Sequence, residues 1–107
     1  MSISLAKKRK ESLSPAELIP VATNQTFTKV WLPIAQRLNL QLVCQLPYLV
    51  LRNDEERHSL IKELQIVQRF IQSMPDSPLV ESVVPRIKRI IDTLESGSCI
   101  ECNYSFG

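Results

Sequence analysis

Ile100-Glu101-Cys102-Asn103-Tyr104-Ser105-Phe106 places an apolar residue at every even position and a polar one at every odd position. That period of two is the signature of a β-strand, whose successive side chains point to opposite faces, so the segment predicts a closing strand with Ile100, Cys102, Tyr104 and Phe106 turned inward. A strand here decides the fold class, because the two long segments before it read as helices.

Working back from the strand, Val80, Val83, Val84, Ile87, Ile90, Ile91 and Leu94 recur at helical spacing. Ser77-Pro78 supplies a cap followed by proline at the first helical position, Gly97 supplies a C-cap, and Pro85 should divide or kink the helix. Before it, Asn53 and Glu56 form a capping box, and Asp54, Glu55 and Glu56 favour the positive end of a helix dipole. Leu60, Ile61, Leu64, Val67, Phe70, Ile71 and Met74 then make one apolar stripe that Pro75 ends.

Residues 26–46 hold the ambiguity. Phe27, Val30, Trp31, Ile34, Ala35 and Leu38 follow a helical period, with Pro33 expected to distort it. After the break at Asn39, Leu40, Leu42, Cys44 and Leu46 alternate as in a strand, while Leu38, Leu42 and Leu46 would equally continue a helix up to Pro47. Upstream, Leu18-Ile19-Pro20-Val21-Ala22 reads as an edge strand, since Pro20 lacks a ladder donor, and Ser14-Pro15-Ala16-Glu17 reads as a helical turn before it.

The resulting expectation is an α+β domain: a small sheet of about three strands, in the order β-α-β-α-α-β, covered by helices. A first helix acting as crossover would make its flanking strands parallel. The alternative is an all-α bundle with residues 28–46 as one helix.

Composition sets the domain organisation. A chain of 107 residues with 44% hydrophobic and 22% charged side chains fits one domain and can bury a core. Residues 1–13 carry Lys7, Lys8, Arg9 and Lys10 with little apolar material, which predicts a basic flexible arm whose deletion leaves melting unchanged, ahead of a single α+β domain over 14–107. From Ser14 onward nine basic and ten acidic residues nearly cancel, so no nucleic-acid or membrane partner is imposed on the domain. The N-terminus lacks the order of charge and apolar residues of a secretory signal, and three cysteines form no disulfide scaffold; both point to the cytoplasm.

The sequence offers little chemistry. Gly97 and Gly107 are the only glycines, which excludes the glycine-rich phosphate loops and the nucleophile elbow. Cys99 and Cys102 have the spacing of half a zinc site, but only Cys44 and His58 remain as further thiol or imidazole ligands, and in a strand residues three apart diverge. His58, the sole histidine, lies on a helix shoulder with no nucleophile attached by motif. No catalytic, metal-binding or cofactor-binding residue is therefore assigned, and no cofactor is expected.

The expected function is non-enzymatic: binding to another protein, or self-association through an edge strand, with Trp31 and Tyr48 as candidate partner contacts. Tryptophan and tyrosine are the residue types enriched at such contacts. The alternative is a nucleic-acid-associated regulator in which Lys7, Lys8, Arg9 and Lys10 meet phosphates. A small enzyme with an unfamiliar site at His58 is a third possibility of a different class.

Overall fold

The computed structural model describes residues 2–11, 13–74 and 78–107. The fold is mixed α+β. Strands β1 (Ser2–Arg9), β2 (Glu17–Thr23), β3 (Val50–Leu51) and β4 (Cys102–Phe106) form one antiparallel sheet in the order β2-β1-β4-β3. Between β2 and β3 run α1 (Asn24–Thr26), a π-helical turn at Phe27–Trp31, α2 (Leu32–Arg37), α3 (Gln41–Cys44) and a 3₁₀ turn at Leu46–Tyr48. After β3 come α4 (Asp54–Gln72), α5 (Leu79–Ser82) and α6 (Val84–Glu95).

The N-terminal segment overturns the expected basic arm. Residues 2–9 form an inner strand, paired with β2 on one side and β4 on the other. Ile3 and Leu5 are fully buried, and Lys7 continues their face, its Nζ donating to Ser96 Oγ at 2.6 Å. The cations occupy the end of a strand whose first half is apolar on one side. Ser14-Pro15 begins no helix; this stretch belongs to the connection from β1 to β2.

The strand expected at residues 40–46 is also corrected. Asn39 takes a left-handed conformation at φ 57°, a region that asparagine tolerates better than most residues, and the chain resumes as α3. Glu63 of α4 caps that helix, its Oε1 accepting from Leu42 N at 3.0 Å and Val43 N at 3.2 Å. The strand lies instead at β3, where only two residues pair, too few to show a period. With β1 added the sheet has four strands, and none is parallel.

The other elements follow the sequence. Pro20 sits in β2, an outer strand of the sheet. Around Pro33 the preceding turn widens to a π turn, in which Leu32 N–H bonds to Phe27 O; the wider turn relieves the clash of the proline ring with the carbonyl four residues back. Asn53 Oδ1 accepts from Glu56 N at 2.8 Å, while Glu56 reaches back to Arg52 N at 3.0 Å, one residue before the usual partner. The break between α5 and α6 falls at Val83, and Pro85 takes up a place in the first turn of α6, where its missing N–H costs no helical bond. The Pro75 stop and the Ser77 cap lie outside the described residues.

Leu60, Leu64, Val67 and Ile71 of α4 and Ile87, Ile90 and Leu94 of α6 are buried with the inner face of the sheet: Ile3, Leu5, Ile19, Leu51, Tyr104 and Phe106. Ile100 is the exception in the closing segment: it lies in the turn before β4 and is 79% exposed. Gly97 serves sterically, not as a left-handed cap, because its φ is not positive. A Cβ there would stand 3.1 Å from Tyr104 Oη and 3.2 Å from Cys102 Sγ.

Candidate functional site

The inner face of the sheet is filled, and the other face is not. Register places Ala6 of β1 opposite Leu18 of β2 and Ser105 of β4, and Ser105 opposite Val50 of β3. Leu18, Ala6, Ser105 and Val50 thus form one row across all four strands. Its outer members, Leu18 and Val50, are 65% and 56% exposed, and the small Ala6 and Ser105 between them keep the surface low. Ser4 and Pro20 form the neighbouring row, Lys8 and Asn103 the one on the other side. Tyr48, 91% exposed, precedes β3.

Alternation sorts the basic run. Lys8 lies on the open face, whereas Lys7 and Arg9 pair with Tyr104 and Cys102 on the opposite one. Lys10 follows the strand, its N–H bonded to Glu101 O at 2.9 Å. The four cations therefore do not gather on one surface. Trp31 and Tyr48 also separate. Trp31 is 1% exposed and belongs to the core, so it cannot act as a surface anchor.

The groups with chemical promise meet at one end of α4 but serve packing. Arg57 is buried; its Nε donates to Asp54 Oδ1 at 3.0 Å, its Nη1 to Leu94 O at 2.6 Å and its Nη2 to His58 Nε2 at 3.1 Å. Asp54 Oδ1 also accepts from Cys99 N at 2.8 Å. This backbone bond, then Arg57, holds the Asp54 carboxyl below its ordinary pKa. Cys99 and Cys102 are both buried, contrary to the divergence expected of a strand, because Cys99 lies in the preceding turn. Burial and the Asp54 charge push the Cys99 thiol up, which disfavours the nucleophilic thiolate. Tyr104, pushed up to about 12 chiefly by burial, donates to Gly97 O at 2.8 Å. Among the described residues no group of three or more His, Cys, Asp or Glu side chains is placed to hold a metal ion, and no helix is long and apolar enough to cross a membrane.

The row across the open face was hidden in the sequence because its members come from four separated strands, two of which are not visible as strands. Comparison with protein-family models, curated proteins and solved structures finds no match to this chain.

Proposed function

We propose that the protein is a non-enzymatic binding module that associates with protein through the open face of its sheet, and that the first occupant of this face is a second copy of the chain. The row Leu18–Ala6–Ser105–Val50 carries the reading: a sheet with one exposed side normally presents polar residues there, and this one presents a level, largely apolar band. Among the described residues of the four strands, Lys8 is the one charged side chain that the register places on this face, at one end of β1. A two-fold axis through the central row would lay each Lys8 away from its mate and apolar band on apolar band, as in the aligned packing of two sheets. The placement differs from edge-strand pairing, which Pro20 and the two-residue β3 both oppose.

Analytical ultracentrifugation tests it. A dimer at micromolar concentration that Leu18→Lys or Val50→Lys converts to monomer is the expected result. A wild-type chain that remains monomeric at high micromolar concentration, or a dimer indifferent to both substitutions, overturns the reading. Affinity for nucleic acid that falls steeply with salt would transfer the function to the basic run instead.

A further inference from the structure

Cys99-Ile100-Glu101-Cys102 folds as a single helical turn, in which Ser98 O accepts from Glu101 N at 3.2 Å and from Cys102 N at 2.9 Å. Residues three apart in such a turn have Cα atoms about 5 Å from each other, as helical rise and radius dictate. A disulfide spans roughly 4.4–6.8 Å between Cα atoms, so the turn sets the two cysteines at bonding range. Both thiols are free, and both are buried, at 7% and 3% exposure, while Ile100 and Glu101 between them face solvent. The two side chains therefore turn the same way.

The fold also holds each cysteine from outside the turn. Cys99 N–H donates to Asp54 Oδ1 at 2.8 Å, which ties the first to α4, and Cys102 opens β4 opposite Arg9 of β1, which ties the second to the sheet. Between them, Glu101 O accepts from Lys10 N at 2.9 Å. After burial, Cys102 and then Cys99 push the Tyr104 hydroxyl up, so both sulfurs neighbour that one group. A Cβ at Gly97 would stand 3.2 Å from Cys102 Sγ, so the glycine leaves this sulfur room to turn.

We propose that Cys99 and Cys102 form a reversible disulfide, a redox-sensitive staple on the turn that leads into β4. The oxidant is a low-molecular-weight disulfide of the glutathione class. The thiolate of one cysteine attacks it and expels one glutathione thiolate; the thiolate of the other then displaces the second glutathione from the mixed disulfide. Two protein thiols are oxidised to one disulfide, one small disulfide is reduced to two thiols, and the protons leaving the cysteines end on the glutathiones. The equilibrium is set by the fold, since a pair already held by Asp54 and β1 loses little further freedom when the bond closes. The rate is set by the thiolate. Burial and the Asp54 charge push the Cys99 thiol up, so closure is slow and quickens as pH rises. The staple and the open face are separate, and neither proposal depends on the other.

Peptide mapping reads this bond directly, because no lysine or arginine follows Arg89 and trypsin releases residues 90–107 with Cys99 and Cys102 but without Cys44. Wild-type protein is equilibrated in glutathione buffers graded from reduced to oxidised, quenched with acid, alkylated and digested. The expected peptide is unalkylated and two hydrogens lighter toward the oxidised end, and dithiothreitol restores both thiols. In urea sufficient to unfold the chain, the same conversion should need a poise about tenfold or more oxidising, since the turn no longer holds the pair. By the same cycle the oxidised protein should melt above the reduced one. A peptide alkylated twice in every buffer, one that stops at a single bound glutathione, or a midpoint equal in folded and unfolded protein overturns the proposal.

Discussion

Leu64 stands at the centre of the α4 stripe and is fully buried. Leu64→Ala should cost about 2–5 kcal/mol in chemical denaturation, the range for truncating a buried leucine. One turn face away, Glu63 performs a different task. Its carboxylate accepts two N–H groups at the start of α3, yet its pKa is raised, because burial outweighs those two bonds. The folded state therefore binds the Glu63 proton more tightly than the unfolded chain. That contribution is present below the ordinary glutamate pKa and is lost as pH rises through the folded value. At neutral pH the charge is a cost, so Glu63→Gln, which keeps the acceptor without the charge, should be neutral or stabilising at pH 7, with the difference shrinking on acidification. Glu63→Ala removes the acceptor and should destabilise by about 0.5–2 kcal/mol, as for loss of a helix cap. Urea titrations of the three proteins at pH 4 and pH 7 separate these outcomes.

At the scale of elements, the two ends of the chain are equivalent in structure, although the sequence suggests otherwise. Deleting residues 1–13 removes an inner strand and leaves β2 and β4 without their shared partner. The truncated protein should lose its cooperative melting transition or aggregate. Deleting residues 98–107 should do the same, since Cys102, Tyr104 and Phe106 leave the core with β4. Circular dichroism melts of both truncations check this, and an unaltered midpoint in either would mean that its strand contributes nothing.

The contrast shows what was legible. In β4, three of five side chains are apolar and buried, so alternation is plain; in β1 the same face reads Ile3, Leu5, Lys7, Arg9, and the aliphatic stem of a lysine does work that the sequence records as charge. Helices α4 and α6 were legible because many residues repeat one period. The strand reading at 40–46 failed because the period-two pattern there coexisted with a helical one, and the Glu63 cap that favours helix lies about 20 residues away. Of the candidate contacts, Tyr48 was legible as exposed from its place after Pro47. The open face was not, because its row depends on register between strands far apart in the chain.

Across the whole molecule, Arg57 ties the start of α4 to the end of α6 and, through Asp54, to the turn before β4. Asp54 titrates below its ordinary pKa, so its stabilisation is complete above that value and is lost as pH falls through the folded one. The urea midpoint should therefore decline below about pH 4, where carboxylates ordinarily titrate, and Asp54→Asn should flatten this acid limb relative to wild type. An acid limb identical in the two proteins would assign the decline to other carboxylates.

The pairing of β1 with β4 brings residues 5–9 against residues 102–106. Ribosomes add roughly 5–20 residues per second, so for several seconds a nascent chain holds β1 and β2 with no β4 to join them. During that interval one edge of β1 is an unfilled template in a chain whose core is incomplete, and contacts of such long sequence separation also form slowly in refolding. Pulse-labelling by hydrogen exchange should find the amides of α4 and α6 protected first, those shared by β1 and β2 next, and those between β1 and β4 last. The joining of β1 to β4 is thus the step at which a chaperone that masks strand edges would matter to this protein's yield.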